Sequence, residues 1–243
     1  MRVYVWGKRE LFVFLLVLVA AALLFYSVCY LFSQGSQETI AEPFYQGVGE
    51  EKCVSLTINV DWGEEYLPDI LQVLAENKVS ATFFLTGRWT SNNPELAKSI
   101  AEAGHEIGNH AYSHTSPNSL TVDGNREEIR QTAEAIEKAT GVQPKLYAPP
   151  SGERDPQVLQ AAEAEGCTTI LWSVDTIDWQ RPQPSVIYDR VMQKIHPGAI
   201  ILAHPTASTL EALPQIIQDL QAEGYRFVCV SENIGLQAAE GRN

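Results

Sequence analysis

His105-Glu-Ile-Gly-Asn-His-Ala-Tyr-Ser-His114 holds three of the chain's five histidines in ten residues. Residues 105–107 read as the end of a short apolar strand, and Gly108-Asn109 as a turn. His110 and His114 are four apart, a spacing that brings two imidazoles to one face of a helical turn and within reach of one ion. Two ligands make half a metal site, so the remainder must come from elsewhere in the chain. A strand that ends in chemistry-bearing residues is the pattern of a parallel α/β fold, and the surrounding sequence repeats it.

Short β-branched or aromatic runs fall at residues 54–60, 80–86, 105–107, 145–147, 168–174, 199–202 and 225–230. Helical patterns fill the gaps at 65–77, 94–103, 121–140, 155–165, 185–195 and 209–223, with glycines 104, 141, 166 and 224 placed as C-terminal caps. Alternation of this kind predicts parallel strands covered by helices, as a barrel or an open doubly wound sheet. In such folds sites form at the C-terminal ends of the strands. The first strand exits into Asn59, Asp61, Trp62 and Gly63, and the third into His110 and His114. The fourth exits into Pro150, Ser151 and Gly152, the fifth into Asp175, Asp178 and Trp179, and the sixth into His204. Metal-binding and proton-moving residues therefore collect at one rim.

On a strand Asn59 and Asp61 share a face and Val60 points away. Asp61 is the expected third metal ligand, leaving positions open for water on Zn²⁺ or a similar ion; the competing reading makes it a helix cap near Gly63. Asp178 or Asp175 is placed to orient His204, as a carboxylate orients an imidazole in other hydrolases. Trp62, Trp172 and Trp179 are each more often core than sugar platforms, but three near one rim put at least one at the surface.

Residues 11–32 carry no charge and are long enough to cross a bilayer as a helix. Arg2, Lys8 and Arg9 precede them, which predicts a cytoplasmic tail over 1–10, a single-pass anchor over 11–32 and an extracytoplasmic remainder in the cell membrane. The alternative is a removed signal sequence. Residues 33–50 read as a tether of low structure, 51–236 as one domain, and 237–243 as a tail. The net charge is −13; the first ten residues carry Arg2, Lys8 and Arg9 against Glu10, a net +2, so the rest carries −15. That excludes nucleic acid and anionic lipid headgroups as natural partners of the outer domain. Four cysteines without a CxxC spacing predict free thiols.

The motifs resemble those of polysaccharide deacetylases of the NodB-homology type, carbohydrate esterase family four. Gly104 to His114 is similar to the family's second motif, Trp172-Ser-Val-Asp-Thr-Ile-Asp178-Trp179 to its fourth, and Ile201-Leu-Ala-His204 to its fifth. Tyr147-Ala-Pro-Pro-Ser-Gly152 stands in the place of the third, and Thr57-Ile-Asn-Val-Asp-Trp-Gly63 in that of the first. With the N-terminal anchor, the chain also resembles membrane-anchored, sporulation-associated deacetylase-like proteins. The resemblance implies a distorted barrel of about seven strands and a divalent metal on Asp61, His110 and His114, Zn²⁺ first and Co²⁺ or similar next. It implies His204 as general acid with Asp178 behind it, and a substrate groove at Trp62, Pro150, Ser151 and Trp179. The partner it implies is cell-wall glycan bearing N-acetylglucosamine or N-acetylmuramic acid.

Two departures from the family pattern matter. Its first motif has adjacent aspartates, one base and one metal ligand. Counted from Thr57, Asn59 stands at the base and Val60 at the ligand; counted back from Gly63, Asp61 is the base and Trp62 the ligand. Only one carboxylate remains either way. The family's third-motif arginine is replaced by Ala148 and its tyrosine by Ser151. The expected function is a metal-dependent N-deacetylase with degenerate motifs; the alternative is a weak or inactive glycan-binding or assembly protein on the same fold.

Overall fold

The computed structural model describes residues 7–34 and 41–236. The expected end of the cytoplasmic tail (1–6), the middle of the tether (35–40) and the C-terminal tail (237–243) lie outside the described residues. The chain divides into two units, Met1–Thr39 and Ile40–Asn243.

In the first unit α1 runs Lys8–Gln34. Its stretch Lys8–Ser27 is long and apolar enough to cross a membrane. The exposed Leu, Val and Phe side chains from Leu11 to Phe25 have no core of their own to enter.

The second unit is built on β1 (Cys53–Val60), buried along its whole length after Cys53. A parallel strand covered on both faces reads as a continuous apolar run, which is why residues 54–60 barely alternate. Around it lie β2 (Thr82–Leu85), β3 (Glu106–Asn109), β4 (Leu146–Tyr147), β5 (Thr168–Thr169), β6 (Val174–Asp175), β7 (Ile200–Ala203) and β8 (Arg226–Phe227). The order is β5-β4-β3-β2-β1-β7-β6, with β8 beside the start of β1, and the pairs are parallel. The sheet curls into a distorted barrel. Period-two alternation sorts its two faces: Phe83 and Ile201 enter the large core under the helices, while Phe84 and Ile200 enter a smaller cluster with Leu146, Ala148, Ile170 and Val230.

Helices α2 (Leu67–Glu76), α3 (Gly87–Asn92), α4 (Pro94–Glu102), α5 (Val122–Thr140), α6 (Pro156–Ala164), α7 (Pro184–Lys194), α8 (Ala207–Ala222) and α9 (Val230–Asn233) complete the unit. Local signals set their ends. The Thr121 hydroxyl caps α5 by accepting from Gly124 N–H at 3.1 Å, and Gly141 ends it at φ +75°. Leu67, Ile70 and Leu74 supply the buried stripe of α2.

The structure departs from the sequence reading in four places. The run 168–174 is not one strand: β5 lies at one edge of the sheet and β6 at the other, and residues 170–173 pass from one edge to the other without β5 and β6 pairing. The last run yields only β8, after which Val230–Asn233 turns helical. Gly108-Asn109 is strand rather than turn. The folded part also reaches back into the expected tether: Phe44 N–H donates to Thr169 O at 3.0 Å, Leu171 N–H to Phe44 O at 2.7 Å, and Gly47 N–H to Gly198 O at 2.7 Å. Phe44 packs on the inner cluster. This strap spans the gap left where β5 and β6 part.

Candidate active site

The strand exits converge as expected. Asn59, Asp61, Trp62, His110, His114, Ser151, Trp172, Asp175, Trp179 and His204 line one cavity of about 410 Å³. Asn59 and Asp61 both face it, while Val60 is fully buried in the core on the other side. Pro150, the other expected groove residue, is buried and is not among the lining residues.

His110 follows β3 directly. Its ring Nδ1 lies 2.6 Å from Ala148 O, and a carbonyl only accepts, so Nδ1–H donates and Nε2 keeps its lone pair. Burial first, then the neighbouring His114, pushes its pKa down to about 3. The ring is thus neutral throughout the physiological range, the state a metal ligand needs. His114 reaches it without a helix: Ala111 and His114 take left-handed backbone at φ 61° and 57°, and the two ring centroids stand 5.0 Å apart, edge to face. The helical spacing argument therefore gave the right neighbours through the wrong geometry. Glu128 of α5 fixes this loop, accepting from Tyr112 N–H at 2.9 Å and Ser113 N–H at 2.8 Å.

Asp61 does not complete the pair. Arg88 Nη2 lies 3.0 Å from both of its oxygens, and Thr86 Oγ1 donates at 2.9 Å. Among the described residues no group of three His, Cys, Asp or Glu is gathered closely enough to hold a metal ion. The two imidazoles lie side by side at the cavity, and the expected third ligand is occupied by a guanidinium.

Across the cavity, His204 Nδ1 donates to Asp178 Oδ1 at 2.7 Å. Asp178 is fully buried, and its Oδ2 also accepts from His204 N–H and from Thr209 Oγ1, each at 2.6 Å. A carboxylate with three donors is held in place, and it fixes the imidazole with Nε2 toward the cavity. Asp175, the other candidate orienter, instead accepts from Ile177 N–H at 2.8 Å. Trp62 lies parallel to the His204 ring, centroids 6.0 Å apart. Trp179 is 55% exposed at the rim, as a stacking platform must be.

Asn59 is 5% exposed, and its Oδ1 is buried without a hydrogen-bond partner. A buried acceptor left unpaired costs about 1–3 kcal/mol. Ala148, where the family has arginine, is buried in the inner apolar cluster and brings no side-chain donor.

A family model described as polysaccharide deacetylase matches residues 46–170. The chain belongs to the polysaccharide deacetylase family. Among its relatives, the peptidoglycan-N-acetylmuramic acid deacetylase PdaA of Bacillus subtilis is 35% identical over 196 residues, covering 79% of this chain and 74% of PdaA. The B. subtilis protein YlxY is 47% identical over 191 residues, covering 79% of this chain, which spans only 60% of YlxY's length. The crystal structure of a family-four pseudoenzyme from Bacillus anthracis is 47% identical with a TM-score of 0.77, covering 79% of this chain and 68% of that one. A mutant of it, described as having restored enzymatic activity, is 46% identical with a TM-score of 0.77, covering 79% and 71%. The deacetylases of this family are generally metal-dependent.

Reading strand exits found most of the site but passed over that of β2, which carries Thr86 and Arg88; the same rule would have included them. Thr209 and Glu128 lie on helices remote in sequence, and no local signal marks them.

Proposed function

We propose that the cavity receives an N-acetylated sugar of the cell-wall glycan and that the domain is a peptidoglycan N-deacetylase whose base chemistry is weakened. The observation that carries this reading is the His204–Asp178 pair facing the cavity that His110 and His114 also line. In amide hydrolysis water adds to the acetyl carbonyl and the sugar amine leaves with a proton. His204, oriented through Nδ1, delivers that proton from Nε2, and Asp178 stabilises the imidazolium from which it comes. Trp62 and Trp179 supply stacking faces for the sugar, and Ser151 a polar edge. His110 and His114 would hold a divalent ion, Zn²⁺ or a similar metal, which would polarise the acetyl carbonyl. Asp61 joins them only when released from Arg88. The apolar α1 anchors the chain in a single pass, with the positive N-terminal end inside and the domain on the wall side.

A second reading is a glycan-binding protein with no turnover. The specific observation behind it is Asn59, an amide where a base is needed. The 47% identity to a pseudoenzyme supports it. Acetate release from N-acetylglucosamine and N-acetylmuramic acid oligomers, with metal added, separates the two. Loss of a general base typically costs ~10²–10⁴-fold. A slow but measurable wild-type rate that Asn59→Asp raises by at least 10²-fold supports the weakened enzyme. No turnover in wild type, with oligomer binding intact, supports the binding protein. A wild-type rate of ~1 s⁻¹ or more makes Asp61 the base and overturns the role given to Asn59.

A further inference from the structure

Beside the main cavity lies a second one of about 220 Å³, lined by Tyr45, Ser151, Gly152, Arg154, Leu171 and Trp172. Ser151 and Trp172 line both. From this geometry we infer that the smaller cavity is a second sugar subsite, built for a carboxylate-bearing sugar next to the one in the main cavity. The inference rests on the glycan reading above and deepens it.

Tyr45 is the platform. It sits in the strap between two anchored neighbours, Phe44 on Thr169 and Leu171, and Gly47 on Gly198. Its backbone is therefore held while the residue stays 40% exposed. An aromatic ring held rigid and left open is suited to stacking on a pyranose and loses little entropy on binding.

Arg154 supplies the charge. Its guanidinium lies 5.6 Å from the Tyr45 ring centroid, and one nitrogen donates to Gly152 O at 3.2 Å. A guanidinium has five N–H donors, so most are unspent. Arg88, Arg126, Arg130 and Arg226 each pair with a carboxylate, whereas among the described residues Arg154, like Arg181 and Arg190, makes no ion pair; of these three only Arg154 lines this cavity. In a chain of net charge −13, a guanidinium without a carboxylate at the edge of a sugar cavity is the complement of an anionic ligand.

The wall between the cavities is shaped for close passage. Ser151 takes left-handed backbone at φ 57°, a conformation a non-glycine residue holds at a cost and one that concentrates at binding sites. Gly152 follows at φ +67°, where an added Cβ would stand 2.7 Å from the Trp172 ring. Adjacent sugars of one chain thus meet a continuous surface of Trp172, Ser151 and Tyr45. The sugar in the second position carries its carboxylate to Arg154. In wall glycan that group is the lactyl carboxylate of a muramic acid residue, or a carboxylate of the peptide attached to it.

The test uses the full chain in detergent micelles and tryptophan fluorescence to measure Kd. The probes are a peptide-free tetrasaccharide of alternating N-acetylglucosamine and N-acetylmuramic acid, its lactyl methyl ester, the same tetrasaccharide carrying stem peptides, and chitotetraose. The free acid should bind about tenfold tighter than chitotetraose or the ester, the scale of one charge-assisted hydrogen bond partly exposed to water. Arg154→Gln should remove that advantage, and Arg154→Lys should keep part of it. A methyl ester as tight as the acid, or a preference that survives Arg154→Gln, overturns the lactyl assignment. If only the peptide-bearing glycan shows an Arg154-dependent gain, the carboxylate is the peptide's. Equal binding of all four probes overturns the subsite and leaves the glycan reading standing. Binding of none overturns the glycan reading itself.

Discussion

Acidification should weaken the second unit through His110, by an amount the structure sets. In the unfolded chain this imidazole titrates near 6.5; folded, burial holds it down at about 3. Above pH 6.5 both states leave it neutral and it contributes nothing to pH dependence. Below 6.5 the unfolded state binds a proton that the folded state refuses, so stability falls with pH until about pH 3. At 1.36 kcal/mol per pH unit, the step from 6.5 to 5 costs about 2 kcal/mol. His105 is half-buried and also shifted down by burial, so it adds in the same direction. The assay is urea unfolding followed by tryptophan fluorescence at pH 7.5 and pH 5, with chelator present so that no metal stabilises the folded state. His110→Asn retains a donor for Ala148 O and removes the titration. Its own stability will be lower at both pH values, but the loss between them should be smaller than in wild type by about 2 kcal/mol. Equal losses in the two proteins would refute the reasoning and mean that water or a counter-charge reaches the folded imidazole.

Metal affinity should separate the two halves of the expected ligand set. His110→Ala should abolish Zn²⁺ binding in calorimetry, and Asp61→Asn should change it little. Arg88→Gln should strengthen it by up to about fivefold, because a half-exposed ion pair holds Asp61 by only ~0.2–1 kcal/mol, and Asp61→Asn in that background should cancel the gain; a large loss from Asp61→Asn alone would show that metal displaces Arg88 unaided. For topology, protease added to intact protoplasts should digest the second unit and spare the N-terminus, whereas a soluble mature form beginning near residue 33 would make the apolar segment a removed signal.

Most of the site was legible because a parallel sheet places strand exits at one rim whatever the loops do. That rule alone put Asn59, Asp61, His110, Ser151, Asp175 and His204 around one cavity. Strand order alone left Asp175 and Asp178 both open as partner of His204; the motif resemblance chose Asp178, which is the residue His204 Nδ1 meets at 2.7 Å. Asp175 ends β6 and lines the cavity, whereas Asp178, three residues on, is fully buried behind His204.

Local sequence determined what depends on neighbours along the chain: the apolar run of α1, the caps of the helices, the buried face of β1, and the left-handed glycine that ends α5. It also determined which acids and bases exist, and so that Asn59 and Ala148 lack the groups the family uses. Tertiary structure alone decided what depends on residues far apart meeting. Splitting residues 168–174 between opposite sheet edges required a curled sheet, and the strap of Phe44 and Tyr45 found its place only because that curl left a gap. Asp61 shows the difference most sharply. Its position on β1 and its direction follow from strand period, but its partner follows from α3 packing Arg88 against the same rim. A carboxylate pairs with whichever cation the fold brings nearest, and no spacing along the chain encodes that.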